Sequence, residues 1–178
     1  MGVVDSARLN GLGVLTLRVA VGILLVVAGA FKAHDGPSAT AASIAGYRLL
    51  PPAIVGPLGV ALPYAEIILG GYLCAGLFTR TAAIIASAQF AIFSGAVASL
   101  VVRRLPADCG CFGSGIPTPP SWGHVAADVA LTAVAALIAW RAPGAYAVDR
   151  LLGIGRTAPD FEAGSSGAGA VRPEVLPS

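Results

Sequence analysis

Long apolar stretches separated by short polar segments dominate the chain. They are close in length to the ~20 residues that a helix needs to cross the hydrocarbon core of a membrane. Four such stretches can be delimited: Leu12–Phe31, Ala53–Phe78, Thr81–Val102 and Val125–Trp140. The pattern therefore predicts an all-α integral membrane protein built as a four-helix bundle.

The segment between the first two stretches predicts a short helix that does not span the membrane. Ser38–Leu50 has apolar residues at roughly helical spacing, follows a Gly-Pro pair and ends at Pro51. Its length favours an interfacial position. The chain is thus expected to divide into an N-terminal cytoplasmic segment (1–11), a four-helix domain (12–141) and a C-terminal tail (142–178). The tail is expected to be largely disordered, because its Gly-, Ser- and Pro-rich sequence has little to bury.

Composition supports lipid as the main surroundings of the protein. Of the 178 residues, 56% are hydrophobic and only 11% are charged, with a mean hydropathy of +0.82, whereas soluble domains carry about 25% charged residues. This excludes a cytosolic globular enzyme and a disordered tail protein. The net charge is +2 and no basic run is present, which excludes a nucleic-acid partner. The expected partner is the lipid bilayer.

The basic residues outside the predicted spans give the membrane orientation. Four spans place both termini on the same side, and the positive-inside rule assigns the more basic side to the cytoplasm. The side of the termini carries one basic residue more than the other: Arg8, Arg80, Arg141, Arg150 and Arg156 against Lys32, Arg48, Arg103 and Arg104. We therefore expect a multi-pass protein of the cell membrane with cytoplasmic termini and an extracytoplasmic Cys109/Cys111 loop.

Four ionisable residues fall within or at the ends of the apolar stretches. Arg18 lies in the first stretch and Glu66 in the second, and charges at such depth usually pair or face a cavity. We expect Arg18 to pair with Glu66, and Lys32 with Asp128 near the outer face. Each pair has two interpretations. The first is a structural ion pair that fixes helix register, and the second is a buried site for a proton or a quinone head group. On the second interpretation, the cofactor is a quinone.

Cys109-Gly110-Cys111 is the sharpest local feature of the sequence. Two thiols one residue apart can close a small disulfide ring, and Gly110 removes the side chain that would obstruct it. Such a ring would be strained, and strain makes a disulfide easier to reduce. Arg103 and Arg104 are near in sequence and would favour a thiolate. The motif therefore suggests a catalytic thiol–disulfide exchange pair.

Two other interpretations of the cysteines stay open. One is a local structural disulfide between Cys109 and Cys111. The other is a metal site formed by Cys109, Cys111 and His124, with His34 as a candidate fourth ligand, although four ligands are not placed together by the sequence. Cys74 is expected near the opposite end of the bundle, as a small buried residue.

Small residues recur every fourth position on the third stretch, at Ser87, Ala91, Gly95 and Ser99. In lipid such ladders let helix backbones approach closely. We therefore expect this face of the helix to pack against a neighbour.

Several of these pieces together resemble a known family. In order along the chain they are Arg18…Gly22…Ala28-Gly29…Lys32, Tyr47-Arg48-Leu49-Leu50-Pro51, Leu62-Pro63…Glu66…Gly70-Gly71…Gly76, Asp108-Cys109-Gly110-Cys111-Phe112-Gly113 and Ser121-Trp122. The chain resembles the methylamine utilisation protein MauE family, within the wider DoxX-like group of four-helix membrane proteins. Ala127-Asp128 departs from the Arg-Asn pair expected in relatives.

The resemblance implies a bacterial membrane protein that acts as a redox or maturation accessory in methylamine metabolism. Its implied partners are a thioredoxin-like extracytoplasmic protein and the disulfide-rich periplasmic small subunit of an amine dehydrogenase. The exchanging cysteines of the family correspond to Cys109 and Cys111, and its membrane Arg and Glu to Arg18 and Glu66. The alternatives are a non-catalytic DoxX-type membrane scaffold and a quinone- or small-molecule-binding protein. The sequence does not identify an enzyme.

Overall fold

Six helices make up the part of the chain that the computed structural model describes, residues 2–111, 113, 119–142 and 147–152. In chain order they are α1 (Gly2–Asp35), α2 (Pro37–Gly46), α3 (Pro52–Ala75), α4 (Thr79–Arg103), α5 (Trp122–Arg141) and α6 (Val148–Leu151). Four of them, α1, α3, α4 and α5, are long and apolar enough to cross a membrane. The predicted all-α membrane bundle, with a short helix between its first two spans, is confirmed.

The helices differ from the predicted segments mainly at their ends. α1 begins at Gly2, well before its predicted start, and α2 ends at Gly46 rather than Leu50. α3 contains Pro63 in its interior, which costs a backbone hydrogen bond in water but is tolerated in membrane helices, where neighbouring helices satisfy the freed carbonyl group. α3 ends at Ala75, and Gly76 caps it in the left-handed conformation, with a positive φ of 71°.

α1 and α3 pack so closely that side chains are excluded from the contact. A Cβ atom added to Gly70 would lie 2.5 Å from the carbonyl oxygen of Gly22, and one added to Gly29 would lie 2.6 Å from that of Pro63. Both distances are shorter than real Cβ contacts, so glycine is required at these positions. Along the antiparallel pair, early residues of α1 therefore face late residues of α3.

The small-residue ladder predicted on α4 contacts a neighbouring helix only in part. Its first member packs on α5, where the Ser87 hydroxyl donates to the carbonyl of Thr132 at 3.1 Å. Ala91 is exposed on the bundle surface, and a Cβ atom added to Gly95 would have no neighbour within 4 Å. A step of four residues gains 40° per step on a helix of 3.6 residues per turn, so the ladder winds away from any one neighbour. The bundle core instead takes these residues: Val21, Leu25, Leu69, Leu73, Ala82, Ala83, Ala86, Phe90, Ala135, Ile138 and Ala139.

The short helix α6 is attached to the turn between α3 and α4. The two carboxylate oxygens of Asp149 accept hydrogen bonds from the backbone N–H groups of Phe78 and Thr79, each at 2.7 Å. Asp149 thus supplies the cap that the first turn of α4 lacks from its own residues. The disorder expected of the tail falls mainly on residues 153–178, which lie outside the described residues.

The polar groups of the bundle gather at its two ends. The thiol end comprises α2, the C-terminal part of α1 and the Cys109–Cys111 segment. The terminal end comprises α6 and the turn that joins α3 to α4.

Candidate thiol site and buried ion pair

The Cys109–Cys111 segment is fixed to the bundle through the backbone carbonyls of both cysteines. The hydroxyl of Tyr47 donates to the carbonyl of Cys109. The ammonium of Lys32 donates to the carbonyl of Cys111 at 2.7 Å. Between them, Gly110 has a φ of +64°, which residues with a side chain rarely adopt. The motif is therefore held on one side by Tyr47, which directly follows α2, and on the other by Lys32 of α1.

The two cysteines are not joined in a disulfide, and their side chains lie against each other. Cys109 is buried and Cys111 is half-buried. A hydrogen bond with the side chain of Cys109 raises the pKa of Cys111, and burial raises it further. Because the pKa of Cys111 is raised, the reduced pair stays as protonated thiols. The thiolate, which is the form that attacks a disulfide, is therefore scarce.

The expected role of Arg103 and Arg104 as thiolate-stabilising charges does not hold. Arg103 donates instead to the backbone carbonyl of Tyr47, at 3.0 Å. The cation that opposes the raised pKa of Cys111 is Lys32. Burial also raises the pKa of Tyr47, so its hydroxyl stays protonated and remains a donor.

Glu66 pairs with Lys32, so the predicted Arg18–Glu66 pair is wrong. The Lys32 ammonium lies 3.0 and 2.9 Å from the two carboxylate oxygens of Glu66. Gln89 of α4 donates to the same carboxylate at 3.1 Å. All three charged and polar groups are embedded between helices, and Lys32 and Glu66 are almost completely buried.

The register of α1 against α3 explains the change of partner. Arg18 is also almost completely buried, but its guanidinium lies beside Gly76, where an added Cβ atom would be 2.7 Å from its Nη1. Gly76 is ten positions beyond Glu66, or about 15 Å along a helix. Arg18 therefore belongs to the terminal end of the bundle, near Asp149, whose negative charge acts on it.

The predicted Lys32–Asp128 pair is also replaced by the Lys32–Glu66 contact. Lys32 and Asp128 do face a common cavity of about 220 Å³, which Cys111 and His124 also line. Asp128 is buried there, and its Oδ2 atom has no hydrogen-bond partner within the part of the chain that the structure describes. The cavity thus joins the thiol segment to charged groups of three helices.

The residues of the metal-site interpretation do not assemble. His124 contacts the hydroxyl of Ser121 through Nδ1 at 2.8 Å, and His34 is exposed at the end of α1. Within residues 2–111, 113, 119–142 and 147–152, no three side chains of the metal-binding types come together. Cys74 lies toward the terminal end, half-buried, with its thiol 3.9 Å from the Val19 carbonyl.

Two residues of the site were missed by sequence reasoning. The sequence shows Tyr47 only as part of the Tyr47–Pro51 motif and predicts no role for its hydroxyl, yet this hydroxyl holds the thiol segment. Gln89 is an isolated amide within the apolar run of α4. A lone amide in a membrane helix is a recognisable signal, since it needs a partner away from water.

Comparison with known proteins identifies relatives of the chain. The family described as "Methylamine utilisation protein MauE" matches residues 11–141. A protein of Paracoccus denitrificans named "Methylamine utilization protein MauE" is 32% identical over 130 residues, which covers 72% of this chain and 69% of that protein. No solved structure matches.

Proposed function

Because the chain belongs to the methylamine utilisation protein MauE family, we propose that it is a membrane accessory of methylamine utilisation that works by thiol–disulfide exchange. The observation that carries the proposal is the pair of touching thiols at Cys109 and Cys111, whose backbone is anchored from two helices. Anchoring keeps both sulfur atoms within reach of each other, as the formation of a disulfide requires.

In the proposed exchange, Cys109 and Cys111 begin as a disulfide. A thiolate of the partner attacks the sulfur of Cys111, the less buried of the two, and Cys109 leaves with the electron pair of the S–S bond and takes up a proton. A second partner thiolate then attacks the mixed disulfide. The partner gains a disulfide, and the protein is left with two thiols, whose protonated state the raised pKa of Cys111 favours.

The proposed partners follow from the family. They are the disulfide-rich small subunit of an amine dehydrogenase and a thioredoxin-like protein. Disulfides persist in oxidising extracytoplasmic compartments, so the proposal places the thiol end outside the cytoplasmic membrane and both termini inside. The charge bias along the sequence, five basic residues against four, points the same way.

A trapping experiment tests the exchange. The host lacks its own copy, is grown on another carbon source and is exposed to methylamine. Cys109→Ser removes the starting disulfide and leaves Cys111 as a single thiol, which a disulfide of the partner captures in the reverse of the exchange, with no Cys109 to release it. We expect a mixed disulfide between Cys111 and the small subunit or the thioredoxin-like protein, together with loss of growth on methylamine. Cys74→Ser, at the far end of the bundle, is the matched control and should leave growth unchanged. Absence of any mixed disulfide with either protein would overturn the exchange.

A non-catalytic scaffold is the second candidate function. It is favoured by the burial of Cys109 and by the raised pKa of Cys111, which both lower thiol reactivity. The scaffold predicts that the double variant Cys109→Ser/Cys111→Ser still supports growth on methylamine. The exchange function predicts that it does not.

A further inference from the structure

The cavity that joins Cys111 to Asp128 contains a carboxylate oxygen that the bundle leaves unused. Glu66 also lines this cavity, but both of its carboxylate oxygens accept hydrogen bonds from Lys32. Asp128 is only 8% exposed, and its Oδ2 atom accepts no hydrogen bond from any residue that the structure describes. Because a buried polar atom without a partner is costly, this oxygen indicates a place for a further hydrogen-bond donor.

Titratable groups surround Asp128 from several parts of the chain, whereas α4 faces the cavity only with the rings of Phe90 and Phe93. The groups that line the cavity, or lie within electrostatic reach of Asp128, are Lys32, Tyr47, Glu66, Cys109, Cys111 and His124. Lys32 and Glu66 are paired with each other. Asp128 is therefore the carboxyl group of this cavity that can give or take a proton without breaking that pair.

The cavity provides a route for a proton between Asp128 and the thiol of Cys111. Its volume is about 220 Å³, whereas a molecule of liquid water occupies about 30 Å³. The cavity therefore has room for several water molecules, and the carboxyl and thiol groups in its wall are the polar partners that such water needs. A proton can thus pass between the two side chains through water.

The start of α5 connects Asp128 to the surface at the thiol end. Asp128 is buried, His124 is half-buried and Ser121 is exposed. Steps of four and three residues place the three on one side of the helix, and Nδ1 of His124 lies 2.8 Å from the hydroxyl of Ser121. Imidazole takes up a proton on one nitrogen and releases one from the other, as in proton shuttles. The series therefore leads from the cavity to the outside.

The leaving of Cys111 from a mixed disulfide is the step that needs a proton. Thiols of low pKa leave fastest in disulfide exchange. The pKa of Cys111 is raised by its hydrogen bond with Cys109 and by burial, and the negative charge of Asp128 raises it further. The thiolate of Cys111 is therefore a poor leaving group, and a group that protonates the sulfur as the bond breaks removes this obstacle.

We propose that Asp128 is the proton donor to Cys111 when this sulfur leaves the mixed disulfide. The inference rests on the proposed exchange function and concerns its second step. The second thiolate of the partner attacks the partner's sulfur, the S–S bond breaks, and Cys111 takes the electron pair of that bond. The carboxyl group of Asp128 gives its proton to Cys111 through water, becomes a carboxylate and regains a proton from outside by way of His124.

The test follows the reduction of the disulfide form of the full-length protein by dithiothreitol in nanodiscs. One thiolate of dithiothreitol forms a mixed disulfide with Cys111, and its second thiolate then closes a ring and releases Cys111. Acid quenching followed by mass spectrometry measures the mixed disulfide over time. Asp128→Asn keeps the shape of the side chain but has no proton to give. Release of Cys111 should therefore slow by about 100-fold, the lower end of what general acid catalysis contributes.

A purely electrostatic role of Asp128 predicts the opposite result. Removing its negative charge lowers the pKa of Cys111 and makes this thiolate a better leaving group. Release that is equally fast or faster in Asp128→Asn would therefore overturn the inference. Asp149→Asn is the same change at the terminal end and serves as the matched control, which should release Cys111 at the wild-type rate.

The dependence on pH separates proton donation from a structural effect. Relative to the concentration of dithiothreitol thiolate, wild-type release should slow as the pH rises and Asp128 loses its proton, whereas release in Asp128→Asn should not vary with pH. Asp128→Glu keeps a carboxyl group and should restore the wild-type profile. The same profile in the wild type and Asp128→Asn, or no restoration in folded Asp128→Glu, would contradict the proposal. His124→Gln should also slow release, and a wild-type rate in this variant would overturn the route through His124.

Failure of the inference can be distinguished from failure of the proposed function. If the wild-type protein and Asp128→Asn oxidise the protein partner at the same rate, the inference is wrong and the exchange function stands. If the wild-type protein forms no mixed disulfide with dithiothreitol or with a protein partner, the exchange function is wrong and the inference fails with it.

Discussion

At the scale of single residues, the choice of partner for Glu66 decides how the thiol end is built. Lys32 binds the carboxylate of Glu66 and the carbonyl of Cys111 at the same time. The charged groups and the thiol motif were both identifiable from the sequence. The contact that joins them through Lys32 could not be predicted. It depends on the register of α1 against α3, which is set by close glycine contacts and not by the spacing of residues along the sequence.

The Lys32–Glu66 pair should behave as a coupled unit. Glu66→Gln leaves the buried ammonium of Lys32 without its counter-charge and should lower the free energy of unfolding by about 3 kcal/mol. The double variant Lys32→Met/Glu66→Gln removes both charges, and it should lower the free energy of unfolding by less than the sum of the two single changes. Unfolding in detergent micelles measures both. Arg18→Gln combined with Glu66→Gln is the control, and it should be additive at about 15 Å separation. Additivity in the Lys32 cycle would contradict the direct pair.

The reactivity of Cys111 should be controlled by its neighbour Cys109. The hydrogen bond between the two side chains is the largest cause of the raised pKa of Cys111, so at neutral pH little of it is thiolate. Cys109→Ala should lower that pKa and speed alkylation of Cys111 by iodoacetamide at pH 8, with the pH profile displaced to lower pH. Cys74→Ala leaves the thiol site untouched and should keep the slow wild-type rate. A profile for Cys109→Ala that stays in place, or moves to higher pH, would contradict the assignment.

At the scale of helices, glycine contacts hold α1 against α3. Gly70 faces the backbone of Gly22 at a distance that excludes a methyl group, whereas a Cβ atom at the adjacent Gly71 would meet nothing within 4 Å. The sequence predicted small-residue packing on α4, where the structure shows it only in part, whereas the closest backbone approach lies between α1 and α3. Small residues also occur on helix faces that no neighbouring helix approaches. Their periodicity alone therefore does not identify a packing face.

Gly70→Ala and Gly71→Ala make a matched pair that tests this interface. Gly70→Ala forces the two backbones apart and should lower stability by about 1–3 kcal/mol. Gly71→Ala should be neutral or slightly stabilising, because alanine favours the helix. Thermal unfolding in detergent compares them. Equal melting temperatures would contradict the close approach of α1 and α3.

At the scale of the whole molecule, the bundle separates two polar assemblies. The four spans and the intervening short helix were predictable, because the length of an apolar run corresponds to the thickness of the membrane that a helix must cross. The ends at which Arg18 and Lys32 lie also followed from their positions along the first span. Their partners did not, because pairing across helices depends on tertiary packing. The thiol motif was found as a sequence pattern, whereas its Tyr47 anchor needed the fold.

The two ends should respond independently. Asp149→Ala removes both acceptors at the start of α4 and should cost about 1 kcal/mol of stability, as the loss of a helix cap does. The alkylation rate of Cys111 should not change. Asp149→Asn keeps one acceptor oxygen and should cost less. A change in the Cys111 rate in either variant would indicate that the ends are coupled through the bundle.

Lysines near the end of a membrane helix usually extend toward the water and the lipid headgroups. An ammonium has three hydrogens to donate, and Lys32 directs all three inward, two to Glu66 and one to the Cys111 carbonyl. It therefore has no hydrogen left with which to hold a phosphate or a water molecule. The side chain therefore holds the thiol segment against the interior of the bundle, beside the C-terminal part of α1. Arginine, whose planar fork carries five donors, would not fit this geometry, so Lys32→Arg would release the segment toward the surface while keeping the charge.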